Sequence, residues 1–441
     1  MVIQGITGRY YLTTSEERAR YLLRAAAAMR RRKHEFSAWM VFEVGKSWAE
    51  ADADTAEAID FLEYYARQMV HLADSSAALR PFPGEQLQLM YLPLGVAAVI
   101  PPWNFACAIM TGMTSAALVS GNAVVVKPAE DAATVAYKVC ELFWEQGLPP
   151  GVLNFVVSNP GSLAGRVMVD HPQTRLIAFT GSKNVGLEIY ERAAKLHPSQ
   201  KWLKRSILEM GGKDAVLVDE TADLEAAAAG IVASAFGFQG QKCSAGSRAI
   251  IARPIYEHLA ERVVARAEQL SVGATDGGPQ IYMGPVINPR AVDKIMGYIG
   301  LGRQHHTLLL GGNFIETDTN GYFIQPTIFG EVPGDAPIAQ EEIFGPVLAL
   351  VPAGDFDEML AIANSTDYGL TGALYSRDRS RLEHARRAFQ VGNLYFNRKS
   401  TGAVVGVHPF GGFNLSGTDS KAGGPDYLLL FTQAKSIAEA L

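Results

Sequence analysis

Between Thr14 and Phe42 the apolar residues Leu22, Leu23, Ala26 and Met29 recur at the spacing of one helix face, with Thr14 or Ser15 placed to cap it. A second helical stretch runs from Ala49 to Leu72 and carries Glu57, Asp60 and Glu63 among alanines and aromatics. The texture then changes. Gly95 to Ile100 is a short apolar run closed by Gly and Pro, the mark of a strand buried on both faces. Further strands are predicted at Ala123 to Val126, Val152 to Val157, Leu176 to Phe179 and Ile207 to Met210. Helices fall between them: one ending at Val119, then Ala132 to Gln146, Ser162 to Val169 and Lys183 to Lys195. Apolar strands alternating with helices predict βαβ units and a doubly wound parallel sheet. After Gly212 a second series begins, with strands at Ala215 to Val218 and Ala249 to Ile251. Its helices are expected at Leu224 to Ala235, Ile255 to Leu270 and Phe356 to Ala363. A domain boundary is therefore expected near residue 212. Leu87 to Leu94 and the tail Tyr427 to Leu441 read as edge strands awaiting a partner, a hint of oligomerisation.

Composition narrows the class. Of 441 residues, 48% are hydrophobic and 19% charged, which excludes wholesale disorder. Thirty-nine Lys and Arg against forty-five Asp and Glu give a net charge of −6, and no reason to expect nucleic acid or an anionic membrane as partner. The run Arg30-Arg31-Arg32-Lys33 lacks aromatic or further basic support and reads as a solvated helix face. No apolar stretch is long enough for a spanning helix, and Met1 to Leu12 do not read as a secretory leader. Three scattered cysteines, Cys107, Cys140 and Cys243, exclude a disulfide framework or a CxxC metal site and suit a reducing, cytoplasmic compartment. His305-His306 has no partners at metal-ligand spacing, so no metal site is expected.

Several short stretches carry candidate chemistry. Cys243 follows Gly237-Phe238-Gln239-Gly240-Gln241-Lys242, an open loop or turn with a helix expected after it. Backbone N–H groups there would favour a thiolate nucleophile; the alternative is a small packing residue. Glu209 ends an apolar strand before Gly211-Gly212-Lys213. It is either a poorly solvated general base with a raised pKa or the partner of a cation such as Lys213. Lys127 and Glu130 flank Pro128 at another strand end, placed to bind a ribose or to pair with each other. Phe179-Thr180-Gly181-Ser182 leads from a strand into a helix N-terminus suited to phosphate, although neither GxGxxG nor a Walker A sequence occurs. Asn104, after Pro101-Pro102-Trp103, has an amide suited to an oxyanion. Glu341-Glu342-Ile343-Phe344-Gly345-Pro346 and Pro409-Phe410-Gly411-Gly412-Phe413 would wall a pocket.

Taken in order, Asn104, Lys127, Gly181-Ser182, Glu209, Cys243, Glu342 and Phe410 with their neighbours resemble the aldehyde dehydrogenase superfamily, from about Arg18 to the C-terminus. The resemblance implies an α/β fold in three parts. A parallel-sheet cofactor domain (1–80 and 95–211) and an α/β catalytic domain (212–415) would be joined by a small β oligomerisation element (81–94 and 424–441). It also implies roles. Cys243 would attack an aldehyde, Asn104 and the Cys243 N–H would hold the oxyanion, and Glu209 would activate the hydrolytic water. Lys127, Glu130, Gly181, Ser182, Glu342 and Phe344 would bind NAD, with Glu130 disfavouring a 2′-phosphate.

A narrower similarity, carried by Phe42 to Lys46, Ala56 to Phe61, Phe236 to Ser244 and Gly392 to Lys399, is to the 1-pyrroline-5-carboxylate dehydrogenase branch. That branch oxidises glutamate γ-semialdehyde in proline breakdown. It implies Ser244, Gly402 and Ala403 for the substrate α-carboxylate, Phe105 and Phe410 beside its chain, and Glu57 for its amino end. A small aldehyde substrate and a homo-oligomer are the expected partners. Another semialdehyde as substrate, transfer to coenzyme A, or a relative without activity remain open; Glu209 disfavours the transfer, because acylating relatives generally lack that base. The family's segment ahead of the helix at Thr14 is expected to be absent, since Met1 to Leu12 do not resemble it.

Overall fold

The computed structural model describes residues 10, 12–74, 79–159, 163–317 and 321–441. The reading of the opening residues therefore lies outside the described residues, apart from Tyr10 and Leu12, as does Ser162 in the expected helix there.

Thr14 caps the first helix, α1 (Ser15–Arg31), through a reciprocal box in which its hydroxyl accepts the Glu17 N–H and the Glu17 carboxylate accepts its own. The single helix expected to Phe42 is two. Arg32 leaves helical geometry at φ −105° and ψ 20°, and α2 (Lys33–Val44) starts anew. The guanidinium of Arg32 bonds Glu35 on one side and Glu145 on the other, each at 2.8 Å, so tertiary ion pairing accompanies a break that periodicity did not signal. Arg30 pairs with Glu63 and Lys33 with Asp52, which leaves this basic run locally balanced by carboxylates. The long helix α3 (Trp48–Ala73) follows, bounded within a residue of its prediction.

The next strands are β1 (Glu85–Pro93), β2 (Val96–Ile100), β3 (Ala123–Val126), β4 (Leu153–Phe155), β5 (Thr174–Thr180) and β6 (Arg205–Glu209). All pairings among β2 to β6 are parallel, in the order β4-β3-β2-β5-β6. Helices α4 (Ala108–Val119), α5 (Ala133–Glu145), α6 (Ala164–Asp170) and α7 (Lys183–Ala193) connect them. The order reverses between β2 and β5, so their carboxyl ends open the crevice where such sheets bind ligands.

The change of sheet falls between Glu209 and the next strand, β7 (Ala215–Val218). Helix α8 (Leu224–Phe236) leads to β8 (Arg248–Ala252), and then come β9 (Thr307–Leu310), β10 (Phe314–Ile315), β11 (Phe323–Ile324), β12 (Thr327–Gly330) and β13 (Val347–Ala353). After β14 (Tyr368–Gly369) come β15 (Thr371–Tyr375), β16 (Asn393–Phe396), β17 (Phe413–Asn414) and β18 (Thr432–Ala440). A seven-stranded sheet runs β16-β15-β7-β8-β13-β12-β9, parallel except at β9.

The two expected edge strands find each other. Strand β1 pairs with β18 along its whole length, antiparallel, from Glu85 opposite Ala440 to Pro93 opposite Thr432. Among the described residues no helix is long and apolar enough to cross a membrane, and no cluster of His, Cys, Asp and Glu is suited to a metal ion.

A buried ion pair joins the helical layer to the first sheet. Lys46 and Asp54 have fully buried side chains, with Nζ 2.5 Å from Oδ2. The other Asp54 oxygen accepts the Ala108 N–H at 2.6 Å, where α4 begins, and Lys46 lies over the rings of Phe105 and Phe238. Lys46→Met would leave a buried carboxylate without its counter-charge. It should destabilise the fold by about 3–5 kcal/mol, read as a lower urea midpoint, with part of the loss recovered in the Lys46→Met/Asp54→Asn double variant. An unchanged midpoint in the single variant would contradict this account.

Candidate active site

The parallel sheet gathers its candidates at one edge. Asn104 lies just past β2, Lys127 just past β3, Ser182 just past β5, and Glu209 is the last residue of β6. Such ends are favoured because no side chain of the strand blocks them and helix N-termini face them.

Cys243 comes from the second sheet's side, on the loop between α8 and β8. The helix expected after it is absent, and the chain runs directly into β8. The turn before it, Gly237–Gly240, holds Phe238 at φ 48° and Gln239 at φ 56°, left-handed positions costly for residues with a side chain. Tertiary bonds hold it there. Gln239 donates to the Pro285 carbonyl at 2.9 Å, Asn104 donates its amide to the Gln241 carbonyl at 3.0 Å, and Gln241 accepts the Ile287 N–H at 3.0 Å. Lys242 pairs with Glu50 at 2.7 Å. Gly240 has φ 67°, and a Cβ there would lie 2.3 Å from the Gly345 carbonyl, so the cysteine loop and the Glu342–Gly345 loop touch backbone to backbone.

The thiol's environment differs from the sequence expectation. Burial, then the carboxylates of Asp214, Glu342 and Glu209, push the Cys243 thiol well up, while the Ser244 N–H acts weakly the other way. Cys107 and Cys140 are wholly buried, which supports reading them as packing residues.

Glu209 is buried, and burial raises its pKa to about 8, against the lowering effect of Ser420 and Lys421. Of its two alternatives, pairing with Lys213 is not what the structure contains: the side-chain partner of Glu209 is the hydroxyl of Ser420. Lys213 is itself buried with no hydrogen-bond partner for Nζ among the described residues, and burial lowers its pKa to about 7.

The Lys127–Glu130 pair is formed at 2.8 Å, so each group satisfies the other. Ser182 occupies the N-cap of α7 without a side-chain cap bond, which leaves the helix's first N–H groups open to an anion. A Cβ on Gly181 would meet the Phe179 ring at 2.6 Å, so this turn needs glycine. Glu342 accepts the Gly212 N–H at 3.1 Å and lies so close to Gly211 that a Cβ there would be 2.2 Å from its carboxylate. Phe344 has φ 60° and packs edge-on against Trp103 at 5.7 Å.

One cavity of about 620 Å³ joins Cys243, Ser244 and Glu209 to Phe105, Phe410, Glu57, Gly402 and Ala403. Gly402 has φ 82° in a turn whose Thr401 and Gly402 carbonyls are held by Arg398 at 2.9 and 3.0 Å. Burial, reinforced by Asp54, raises Glu57 to about 8. Asn104 is not among the residues that line this cavity, and one of its amide hydrogens is committed to the Gln241 carbonyl. Sequence reasoning missed Glu50, Gln239, Gln241, Lys242, Arg398 and Ser420. Gln241 and Lys242 stood beside the cysteine in the sequence, but their partners lie far along the chain.

The sequence model of the aldehyde dehydrogenase family matches residues 7–437. The chain is 60% identical over 428 residues to a 1-pyrroline-5-carboxylate dehydrogenase of Geobacillus kaustophilus, covering 97% of this chain and 82% of that protein. Among solved structures, a Thermus thermophilus 1-pyrroline-5-carboxylate dehydrogenase superposes with a TM-score of 0.96 at 54% identity, over 99% of this chain and 83% of the other. The Thermus enzyme solved with bound NAD gives a TM-score of 0.96 at 53% identity, over the same shares. The α/β architecture expected from the sequence is thus that of these relatives, and the chain belongs to the aldehyde dehydrogenase family.

Proposed function

We propose that the protein oxidises L-glutamate γ-semialdehyde, the open form of 1-pyrroline-5-carboxylate, to L-glutamate with NAD as oxidant and water as acyl acceptor. One observation carries the reading: a thiol, a carboxylate with a raised pKa and a glycine turn share a single cavity. The names of the Geobacillus and Thermus relatives support the substrate, and the Thermus complex supports NAD.

In this reading Cys243 Sγ bonds to the aldehyde carbon while the thiol proton leaves to solvent water. The oxyanion is held by the Cys243 N–H and the remaining amide hydrogen of Asn104. NAD, when bound, supplies the two-electron acceptor that turns the thiohemiacetal into a thioester. Glu209 then takes a proton from water as the water oxygen bonds to the acyl carbon, and the C–S bond breaks to restore the cysteine. Aldehyde, NAD and water thus give carboxylate, NADH and two protons.

The residues suited to NAD are Lys127 and Glu130 for a ribose, Gly181 and Ser182 for the pyrophosphate, and Glu342 with Phe344 at the nicotinamide end. The open N–H groups of α7 fit a phosphate, and the Glu342 carboxylate fits ribose hydroxyls. Ser244, Gly402 and Ala403 would receive the α-carboxylate, Glu57 the amino group, and Phe105 and Phe410 the chain. Among the described residues the β1–β18 ribbon pairs with no further strand, which supports its assignment as an oligomerisation element. Three unbridged thiols accord with a cytoplasmic setting.

The test is NADH formation from pyrroline-5-carboxylate without coenzyme A, with glutamate as product. A protein that reduces NAD with succinate semialdehyde and ignores pyrroline-5-carboxylate would refute the substrate. Because Glu209 acts as carboxylate and titrates at about 8, kcat should fall by about tenfold per pH unit below that value. A profile flat from pH 6 to 9 would contradict its role.

A further inference from the structure

The last strand of the first sheet does not end unaccompanied. A segment from far along the chain returns to it: Met210 donates its N–H to the Ser416 carbonyl at 2.7 Å, and Thr418 donates its own to the Leu208 carbonyl at 2.9 Å. The Leu208 N–H reaches the Thr418 hydroxyl at 3.0 Å, and Glu209 bridges to Gly417. Beyond it, Lys421 donates to the carbonyls of Gly392 and Gly411 at 2.9 and 2.7 Å, and Ala422 exchanges backbone bonds with Phe410. Ser420 is thus fixed on both sides, and it is buried.

Its hydroxyl donates to Oε1 of Glu209. The other oxygen, Oε2, is buried with no protein partner among the described residues. A Cβ on Gly411 would lie 3.0 Å from Oε1 and 2.8 Å from the backbone nitrogen of Lys421, so glycine at 411 lets the segment close around the carboxylate. A carboxylate held by one oxygen has one free proton acceptor in one orientation.

We propose that Ser420 is the positioning residue of the base: it fixes Oε1 of Glu209 and so assigns Oε2 to take the proton from the hydrolytic water. This rests on the reading of Glu209 as the deacylating base. During the step an O–H bond of water breaks, the water oxygen bonds to the acyl carbon as the carbonyl π pair moves to its oxygen, and the proton goes to Oε2; the C–S bond then breaks to release the Cys243 sulfur, while Ser420 continues to donate to Oε1.

Four proteins are compared: wild type, Glu209→Gln, Ser420→Ala and Ser420→Thr. The readouts are the NADH burst, the pH profile of kcat, and hydrolysis of p-nitrophenyl acetate, which acylates a thiol without cofactor. Glu209→Gln should give a burst and then stall in both assays. If it turns over normally, the reading of Glu209 fails and the proposal with it. Given the stall, Ser420→Ala should slow deacylation by about tenfold, show a burst, and shift the acid limb of kcat to higher pH, since a donor that favours the carboxylate is gone. Ser420→Thr should restore rate and limb. Slower turnover with an unmoved acid limb, or a limb that Thr does not restore, would mark a merely structural role and overturn the proposal. So would a Ser420→Ala protein that superimposes on wild type.

Discussion

Cys243→Ala should lose aldehyde oxidation by about four orders of magnitude or more, with NAD affinity unchanged by titration calorimetry. The expectation is large because the thiol is the only group proposed to bond the substrate, and removing a covalent nucleophile leaves only positioning and oxyanion contacts. The loop's restraints survive the change, since the bonds from Asn104, Gln239, Gln241 and Lys242 leave the sulfur untouched. Cys107→Ala and Cys140→Ala serve as controls, because both side chains are buried in the core. They should cost some stability and keep the chemistry. Retained turnover in Cys243→Ala would remove the mechanism.

Glu209→Gln should separate the two halves of the reaction. The amide preserves size and can still accept the Ser420 hydroxyl through its oxygen, yet it cannot take a proton from water. One NADH should form per active site, after which steady turnover should fall by about 10²–10⁴-fold. Because the half-reaction before hydrolysis is spared, the size of the burst is as informative as the depth of the loss. A variant without a burst would place Glu209 in the oxidative half instead.

What the sequence revealed about fold and site follows from the range of the forces involved. Ala123–Val126 and Ala215–Val218 are strands to the residue, since each is a short apolar run bracketed by turn-forming residues and buried within its sheet. The strand-end positions of Glu209, Lys127 and Ser182 were readable for the same reason, since each follows directly from an apolar run. The helix break at Arg32 was not, because one of its partners, Glu145, lies 113 residues away. Nor was the left-handed geometry of Phe238 and Gln239 in the turn before Cys243, which tertiary bonds hold and no local propensity marks. The pairing of β1 with β18 unites segments far apart along the chain, so each alone reads only as an edge in need of a partner. Glu50 and Ser420 were invisible for the same reason; the first meets Lys242 across 192 residues and the second meets Glu209 across 211. The electrostatics around Cys243 were not legible either, because burial and the carboxyl groups of Asp214, Glu342 and Glu209, which raise the thiol, are tertiary effects, set against the nearby N–H.

The central claim is that Cys243 carries the acyl group and Glu209 releases it. The most direct measurement is peptide mapping by mass spectrometry of Glu209→Gln after incubation with NAD and pyrroline-5-carboxylate and an acid quench. One γ-glutamyl group on the peptide containing Cys243, absent when NAD is omitted, is the predicted result. An unmodified Cys243 after NADH has formed, or the adduct on Cys107 or Cys140, would contradict it.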